Sequence, residues 1–506
     1  MQGKSDPNVE FLDAAALCGH LVRAGSVHAF LAEHRQRLFP DDLFVDLFKS
    51  ARGRPSVPAD VVATVMVLQA LESLSDREAV DRLRTDITWK VAAGRALTDE
   101  GFHSTVLTLW RNKLRDSNQP QRIFDAVRAV VAETGMLKGK TRRALDSTVL
   151  DDAVATQDTV TQLVAAIRRV RRLVPQAAAL DLAAHDYESP GKPAIAWDDA
   201  EAREALITAL VTDALQVLAE LAVVELDDVA TEAIGLLGLV AGQDVEPGED
   251  EGSWRIARKT APDRVVSTVD TESRHIHKTV HEYRDGYKAH IAIEPDTGIV
   301  TAATLTAGNV TDAAATETLL AGEEPGLEIY ADSAYASGAN RVAIRGAGHD
   351  AVIKAIPLRR AVPGGFDRDD FVVDHRNRTV TCPAGHTIAM TPTGNAVFGV
   401  RCGPCPLRAQ CTTAKAGKTV HIRVHDDELV YARQAWRDDV FREHYRQHRP
   451  MVERSLAWLV RGGNRRVRYR GAQRNQQWLT TRIAALNLRR LLNLGLHRDD
   501  IGWAIA

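Results

Sequence analysis

Three acidic side chains stand at positions suited to metal-ion chemistry. Asp146 lies within a short apolar segment, Asp332 directly follows another, and Glu453 falls in an arginine-rich segment. Cleavage of a phosphodiester with two metal ions needs several carboxylate oxygens that converge on one point, where they clamp the cations and activate the attacking oxygen. Mg²⁺ prefers such ligands and keeps some of its water, so a few protein carboxylates suffice.

Each of these acids also has a simpler interpretation, because aspartates at strand ends often form turns or caps. Asp151 and Asp152 follow Asp146 closely, and Glu443 precedes Glu453, so they are competing candidates. We prefer Asp146 because it lies inside the predicted strand.

Glu453 is preferred because of the two residues that precede it. Tyr445, Arg449 and Glu453 are spaced four residues apart, so a continuous helix would place them along one face. Pro450 would start or kink that helix. The alternative is an exposed Arg449–Glu453 pair, which contributes little to stability.

Charge is unevenly distributed along the chain, although the net charge is only −3. The segment from Phe441 to Arg470 holds nine arginines and two histidines against two glutamates, whereas Asp244 to Glu251 holds five acids and no base. Such asymmetry is typical of a local nucleic-acid surface. We expect the arginines beyond Gly462 to follow a DNA backbone: Arg465, Arg466, Arg468 and Arg470.

Four of the five cysteines are clustered. Cys402 and Cys405 form a C-x₂-C pair, and Cys382 and Cys411 could complete a tetrahedral thiolate site for one structural Zn²⁺. His386 could replace one thiolate. The other interpretation is a loop-rich insertion with unliganded thiols, and a disulfide is disfavoured in a reducing cytoplasm.

Length and composition indicate a multidomain globular protein. A chain of 506 residues exceeds what one core usually organises, and 45% hydrophobic and 26% charged residues are ordinary values. The sequence has no run of 18 or more apolar residues, and its start lacks a secretory layout, so we expect a cytoplasmic protein with no membrane segment.

Hydrophobic periodicity predicts an α/β architecture. Helices are expected over Pro58 to Leu71, from Ser75 with Glu78 in a capping box, and over Ser104 to Leu114. After a strand from Arg143 to Leu150, helices return from about Thr159 to Val240. Further elements are then expected: a hairpin around residues 295–298, a helix over 312–320, a strand over 327–331, a helix over 340–347, a strand over 351–356 and a last helix near 476–494.

These patterns divide the chain into five parts. A helical module for DNA binding or dimerisation spans residues 1–135. A mixed-sheet core spans 136–155 and 255–356, interrupted at 156–254 by a helical insertion that ends in an acidic linker. A cysteine-bearing insertion spans 357–430, and helices over 431–506 complete the core.

The motifs resemble those of DDE transposases of bacterial insertion sequences. Asp332-Ser333-Ala334-Tyr335 is similar to the motif that carries the second aspartate, and Tyr445, Arg449 and Glu453 resemble the first three members of a Tyr-Arg-Glu-Lys signature. Further blocks resemble this group in the expected order and cover about four-fifths of the chain: residues 53–56, 266–270, 285–290 and 308–312.

The resemblance implies an RNase H-like core in which Asp146, Asp332 and Glu453 hold two Mg²⁺ or Mn²⁺ ions. It implies hydrolysis at transposon ends, followed by attack of the new 3′-hydroxyl on target DNA. The partners would be double-stranded DNA and a second copy of the chain on paired ends. Tyr445 and Arg449 would contact DNA. The signature lysine is missing, because Val460 stands in its place, and Arg461 is the nearest basic substitute.

Two other functions stay open at this stage. A metal-dependent nuclease would cut without joining strands, and a DNA-binding remnant or regulator would not cut at all. The presence of all three carboxylates argues against the second, since a remnant has no need of them.

Overall fold

The structure, a computed structural model, describes residues 1–5, 11–50, 52–189, 191–277 and 282–506. Within these residues the chain forms N-terminal helices, a mixed sheet flanked by helices, and two insertions. None of the described helices is both long and apolar enough to cross a membrane.

The N-terminal part is helical. Residues 59–69 are buried on every side, as expected for a helix without a polar face at the centre of a bundle. The predicted capping box is confirmed, because Ser75 and Glu78 exchange hydrogen bonds at a helix start. The helices are α1 (Ala14–Cys18), α2 (Val27–Leu38), α3 (Ala59–Glu72), α4 (Asp76–Thr85), α5 (Ile87–Ala93), α6 (Thr105–Arg115) and α7 (Arg122–Glu133).

A first strand, β1 (Arg142–Asp151), leads into the helical insertion, which encloses a core of its own. The acidic stretch expected as a linker instead contains a strand, because the Thr208 hydroxyl bonds both the amide and the carbonyl of Trp254 and ties a hairpin to the insertion. The elements are α8 (Thr159–Leu173), α9 (Pro175–Ala178), α10 (Ala200–Leu221), α11 (Asp228–Gln243), β2 (Val245–Pro247) and β3 (Trp254–Ile256).

The chain then returns to the sheet with β4 (Arg274–His277), β5 (Tyr283–Ile293), β6 (Val300–Ala307), α12 (Thr316–Leu320), β7 (Glu328–Ala331), α13 (Gly338–Gly346) and β8 (Asp350–Ile353). The strand order is β4-β5-β1-β7-β8, and β6 also pairs with β5. β1 is antiparallel to β5 and parallel to β7. This mixed sheet between helices agrees with the expected RNase H-like α/β core.

The cysteine-bearing insertion forms a small unit around Phe371, Val380 and Phe398. Short strands replace much of the loop structure that the sequence indicated. They are β9 (Val372–Asp374), β10 (Thr379–Thr381), β11 (Thr387–Ala389), β12 (Asn395–Val397) and β13 (Thr419–His421), with α14 (Arg408–Cys411) before the last.

The C-terminal part completes the main core. It contains α15 (Asp426–Arg437), α16 (Asp439–His448), α17 (Pro450–Val460), α18 (Ala472–Asn493), β14 (Leu496–Arg498) and β15 (Trp503–Ile505). The final hairpin was not expected in a tail predicted to be helical. α18 packs against α3, α7 and β6, so the N-terminal helices and one face of the sheet share a continuous apolar core.

Candidate active site

Two of the candidate carboxylates come from adjacent parallel strands. β1 pairs with β7 so that Ala144 lies opposite Tyr330. Asp146 lies two residues after Ala144 within β1, and Asp332 lies two residues after Tyr330, directly beyond the end of β7. The Asp332 side chain accepts a hydrogen bond from the Ala334 amide at 2.9 Å, which shapes the turn after β7. Because the strands are parallel and in this register, the two aspartates lie side by side.

A buried arginine pairs with the first of them. The Arg449 Nη2 lies 2.9 Å from the Asp146 Oδ2, and Arg449 is only 5% exposed. Burial raises the pKa of Asp146 to about 6, although Arg449 and the Ser147 amide favour its ionised form; the negative charge of Asp332 adds to the rise. Arg449 therefore pairs with Asp146, and the alternative of an exposed pair with Glu453 is wrong.

The signature residues sit on two helices that meet at Arg449. α16 ends at His448 and α17 begins with Pro450, whose missing amide hydrogen is tolerated at a first helical position. Tyr445 is largely buried; it packs edge-on against Trp436 and interacts with Arg449. The end of α16 therefore brings Tyr445 and Arg449 to Asp146 of β1.

Glu453 is exposed on α17, one helical turn beyond Arg449. Its neighbour Val452 is fully buried, and α17 packs against β1. No hydrogen bond or ion pair joins Glu453 to Asp146 or Asp332 within the described residues. No three histidine, cysteine or acidic side chains form a ready metal-binding group there either.

The competing acids have other partners or positions. Asp151 receives two hydrogen bonds from Arg284, at 2.9 and 3.1 Å, and Glu443 pairs with Arg446 on the exposed side of α16. Asp152 is buried, with one carboxylate oxygen that has no partner in the described part of the chain, and burial raises its pKa.

A polar network that sequence reasoning missed lies beside Asp146. The Ser147 hydroxyl donates to Asp312 at 2.8 Å, and the Lys288 ammonium donates to the same carboxylate at 2.9 Å. His290 is fully buried beneath them and bonds Thr306 at 2.9 Å, with Tyr335 at the longer distance of 3.5 Å. Lys288, His290 and Asp312 belong to motif blocks noted in the sequence, which were the only signal for this network.

Three of the arginines expected to follow DNA donate hydrogen bonds to backbone carbonyls of the chain. Arg465 donates to Val149 at 3.1 Å, and Arg466 donates to Asp152 and Ala153 at 3.0 and 3.1 Å. Arg468 donates to the carbonyls of Ser73 and Leu74 at 2.7 and 2.8 Å. Arg461 and Arg470 are exposed, and their side chains have no hydrogen-bond or ion-pair partner among the described residues.

The four clustered cysteines line one cavity in their insertion, together with His386. Cys411 is buried, and its pKa is raised by that burial and by the proximity of Cys402, Cys382 and Cys405. The four thiols line the same cavity, but no three of them form a ready metal-binding group within the described residues, and Cys18 lies far away in sequence on α1.

Two family models match the chain. A transposase DDE domain matches residues 250–488, and a transposase domain known as DUF772 matches residues 26–113. The first range contains Asp332, Arg449 and Glu453, whereas Asp146 lies outside both ranges. No curated protein and no solved structure matches the chain.

The mixed sheet, the paired aspartates and these two domains define an enzyme that acts on DNA. The chain belongs to the DDE transposases of insertion sequences, and it is a DNA transposase.

Proposed function

We propose that Asp146, Asp332 and Glu453 are the catalytic carboxylates of this transposase. The observation that supports the proposal is the register of β1 and β7, which sets Asp146 beside Asp332 at the foot of the helix that carries Glu453. Glu453 is exposed on α17, four residues after Arg449, whose side chain pairs with Asp146. Carboxylate oxygens from adjacent strand ends suit hard divalent cations.

We infer that these carboxylates would hold two Mg²⁺ or Mn²⁺ ions, which would supply an activated oxygen nucleophile and stabilise the leaving oxygen. Residues of the chain would bind and orient the DNA. Arg449 has two buried donors, Nε and Nη1, with no partner among the described residues, and they are available to a phosphate of the bound DNA. The Tyr445 hydroxyl interacts with the Arg449 guanidinium.

The proposed reaction has two steps. A water molecule first cleaves the phosphodiester at the transposon end, leaving a 3′-hydroxyl. That hydroxyl then attacks a phosphodiester of the target and displaces a target 3′-oxygen, so one bond forms for each that breaks. We infer that paired ends require two copies of the chain, and that the protein acts in the cytoplasm, where its DNA substrate is found.

The first experiment replaces each carboxylate by its amide. Asp146→Asn, Asp332→Asn and Glu453→Gln should each abolish cleavage of an end-containing duplex and leave duplex binding largely intact, because the amides keep the shape but lose the charge. Matched controls are Asp151→Asn and Glu443→Gln, which should cleave. Near-normal cleavage by any of the first three removes that residue from the assignment.

A second assay separates transposition from simple nuclease activity. A pre-cleaved duplex with a free 3′-hydroxyl should be joined to target DNA by the unaltered protein. Cleavage without any joined product would identify a nuclease instead.

We also propose that Cys382, Cys402, Cys405 and Cys411 bind one structural Zn²⁺. The support is the convergence of four thiols on one cavity and their mutual electrostatic effect on Cys411. Four thiolates are a common ligand set for structural zinc. The ion would stabilise a unit whose apolar core is small.

A further inference from the structure

A cationic pocket lies where the N-terminal helices meet α18. The turn between α3 and α4 forms one wall, and α18 with the loop before it forms the other. Its cavity volume is about 30 Å³ and it is partly open to solvent. That is roughly twice what a single enclosed water requires, so it has room for two oxygen-sized groups.

Three arginines line this pocket, and no acidic residue does. Arg111 is neutralised by Asp76, with hydrogen bonds of 2.8 and 2.6 Å. Arg468 donates only to the backbone carbonyls of the α3–α4 turn and to an asparagine. Arg482 donates to the carbonyls of Ala70 and Trp458 and to the Ser73 hydroxyl. Glu78 interacts with Arg468 through its charge, so Arg482 is the arginine of this pocket that has no carboxylate partner within the described residues.

Of the three arginines, Arg482 has the strongest need for a counter-charge. It is 1% exposed, and its Nε has no hydrogen-bond partner among the described residues. Burial and the nearby Arg468 lower the pKa of Arg482 to about 10. The rings of Trp458 and Trp478, at 4.9 and 5.7 Å, compensate part of the charge. A buried cation without a counter-charge is costly, so an anion at this place would be strongly favoured.

A second unpaired donor faces the same space. Gln477 lines the pocket one and a half turns before Arg482 on α18, is 5% exposed, and its Nε2 has no partner in the described part of the chain. Buried polar groups in proteins are normally hydrogen-bonded, so two orphan donors at one cavity indicate a missing acceptor. The acceptor must carry negative charge and offer at least two oxygens.

We propose that this pocket binds a phosphate group, with two of its oxygens accepting from Arg482 and Gln477. The site joins residues of the two family-matched regions, since Ala70 and Ser73 lie in the match over residues 26–113 and Arg482 lies in the match over residues 250–488. Phosphate binding therefore strengthens the junction between the N-terminal helices and the catalytic core. The proposal does not depend on the roles of Asp146, Asp332 and Glu453.

The test measures thermal unfolding of the whole protein during titration with inorganic phosphate. Sodium chloride keeps the ionic strength constant, so that general screening is held fixed. The unaltered protein should show a saturable rise in melting temperature. Gln477→Leu and Arg482→Met should weaken phosphate binding by about tenfold or more, the usual effect of losing a hydrogen bond to a charged group. Gln477→Leu keeps the volume and decides the question if Arg482→Met does not fold.

The matched control is Arg489→Met, since Arg489 is an exposed arginine of the same helix that stacks on Trp458 outside the pocket. It should keep the phosphate response. A short duplex identifies the source of the phosphate: loss of the response in its presence indicates a DNA backbone phosphate, and an unchanged response indicates the free ion. No saturable response, or the same response in Gln477→Leu as in the unaltered protein, overturns the proposal.

Discussion

At the scale of single residues, Arg449 combines an ion pair that stabilises the fold with donors that the fold does not use. It neutralises Asp146, yet its buried Nε and Nη1 donors have no hydrogen-bond partner among the described residues. A group that exists only to stabilise the fold would satisfy its donors locally, because an orphan donor costs free energy. The unpaired donors therefore favour a role with the DNA phosphate.

Replacement of Arg449 by alanine should depress cleavage more than binding. We expect cleavage at saturating DNA to fall on the order of 100-fold, the usual effect of removing one donor to a developing oxyanion. Arg446→Ala is the matched control, since Arg446 is exposed on the same helix and pairs only with Glu443. Full cleavage by the Arg449 variant would show that this arginine is merely a structural partner of Asp146.

His290 gives a pH-dependent prediction. Burial lowers the pKa of His290 from 6.5 to about 4, so the folded protein keeps it neutral while the unfolded chain takes up a proton below about pH 6.5. The free energy of unfolding should therefore fall by about 2 kcal/mol between pH 7.5 and 5 through this group alone. Asp312 opposes the lowering and Lys288 adds to it.

Denaturant titrations at the two pH values check this. His290→Gln should reduce the pH dependence by that amount, whereas His20→Gln, which changes an exposed histidine, should leave it unaltered. Equal pH dependence in His290→Gln and the unaltered protein would contradict the assignment.

The sequence indicated some of these residues and not others, for a physical reason. Asp332 was predicted because a short apolar run followed by a polar turn is a local pattern. The partners of Arg465, Arg466 and Arg468 were not predicted, because they are backbone carbonyls more than 300 residues away in the chain. The position of a backbone carbonyl cannot be read from the sequence. The sequence therefore does not distinguish an arginine that donates to such carbonyls from one that binds DNA.

At the scale of elements, periodicity predicted α3, β7 and α18 closely, since each has a strong apolar pattern. It missed β2 and β15, which are three-residue strands in local hairpins and are too short to show a clear alternation of apolar and polar residues. It placed Tyr445, Arg449 and Glu453 on one helical face but left the effect of Pro450 open. The structure starts α17 at that proline, so the two helices continue almost without a break.

The cysteine-bearing insertion should require its metal to stay folded. Purified protein is expected to contain close to one zinc per chain, and Cys402→Ser with Cys405→Ser should remove the zinc and expose the insertion to proteolysis. Cys18→Ser is the matched control and should keep the zinc. Protein prepared without chelator that contains no zinc, and whose four thiols react freely, would contradict the proposal.

At the scale of the whole molecule, one apolar core extends from the N-terminal helices through the sheet to α18. The helical insertion and the cysteine-bearing insertion have cores of their own. The core of the helical insertion includes Val265, so it extends beyond the boundary that the sequence predicted near residue 254, whereas the N-terminal helices share the core of the sheet. Motion of the N-terminal helices relative to the catalytic sheet would expose the apolar surface that they share. Because exposing apolar surface to water costs free energy, we expect this junction to be rigid.

The arginines of the C-terminal segment divide into two groups with opposite expected effects. Arg461 and Arg470 are exposed and have no ion-pair partner within the described residues, and we propose that each contacts a DNA backbone phosphate. Arg461→Ala and Arg470→Ala should each lower the slope of log binding constant against log salt by about 0.9, with little change in melting temperature. Arg466→Ala should instead lower the melting temperature, because Arg466 links the C-terminal segment to the end of β1.

Salt titrations of duplex binding, measured beside thermal unfolding, separate the two groups. A guanidinium that already donates to two carbonyls must break those hydrogen bonds to reach a phosphate, so its replacement should lower stability more than DNA binding. An unchanged salt slope in both Arg461→Ala and Arg470→Ala would mean that DNA approaches the protein by another face. A lowered slope in Arg466→Ala at constant stability would place that arginine on the DNA surface instead.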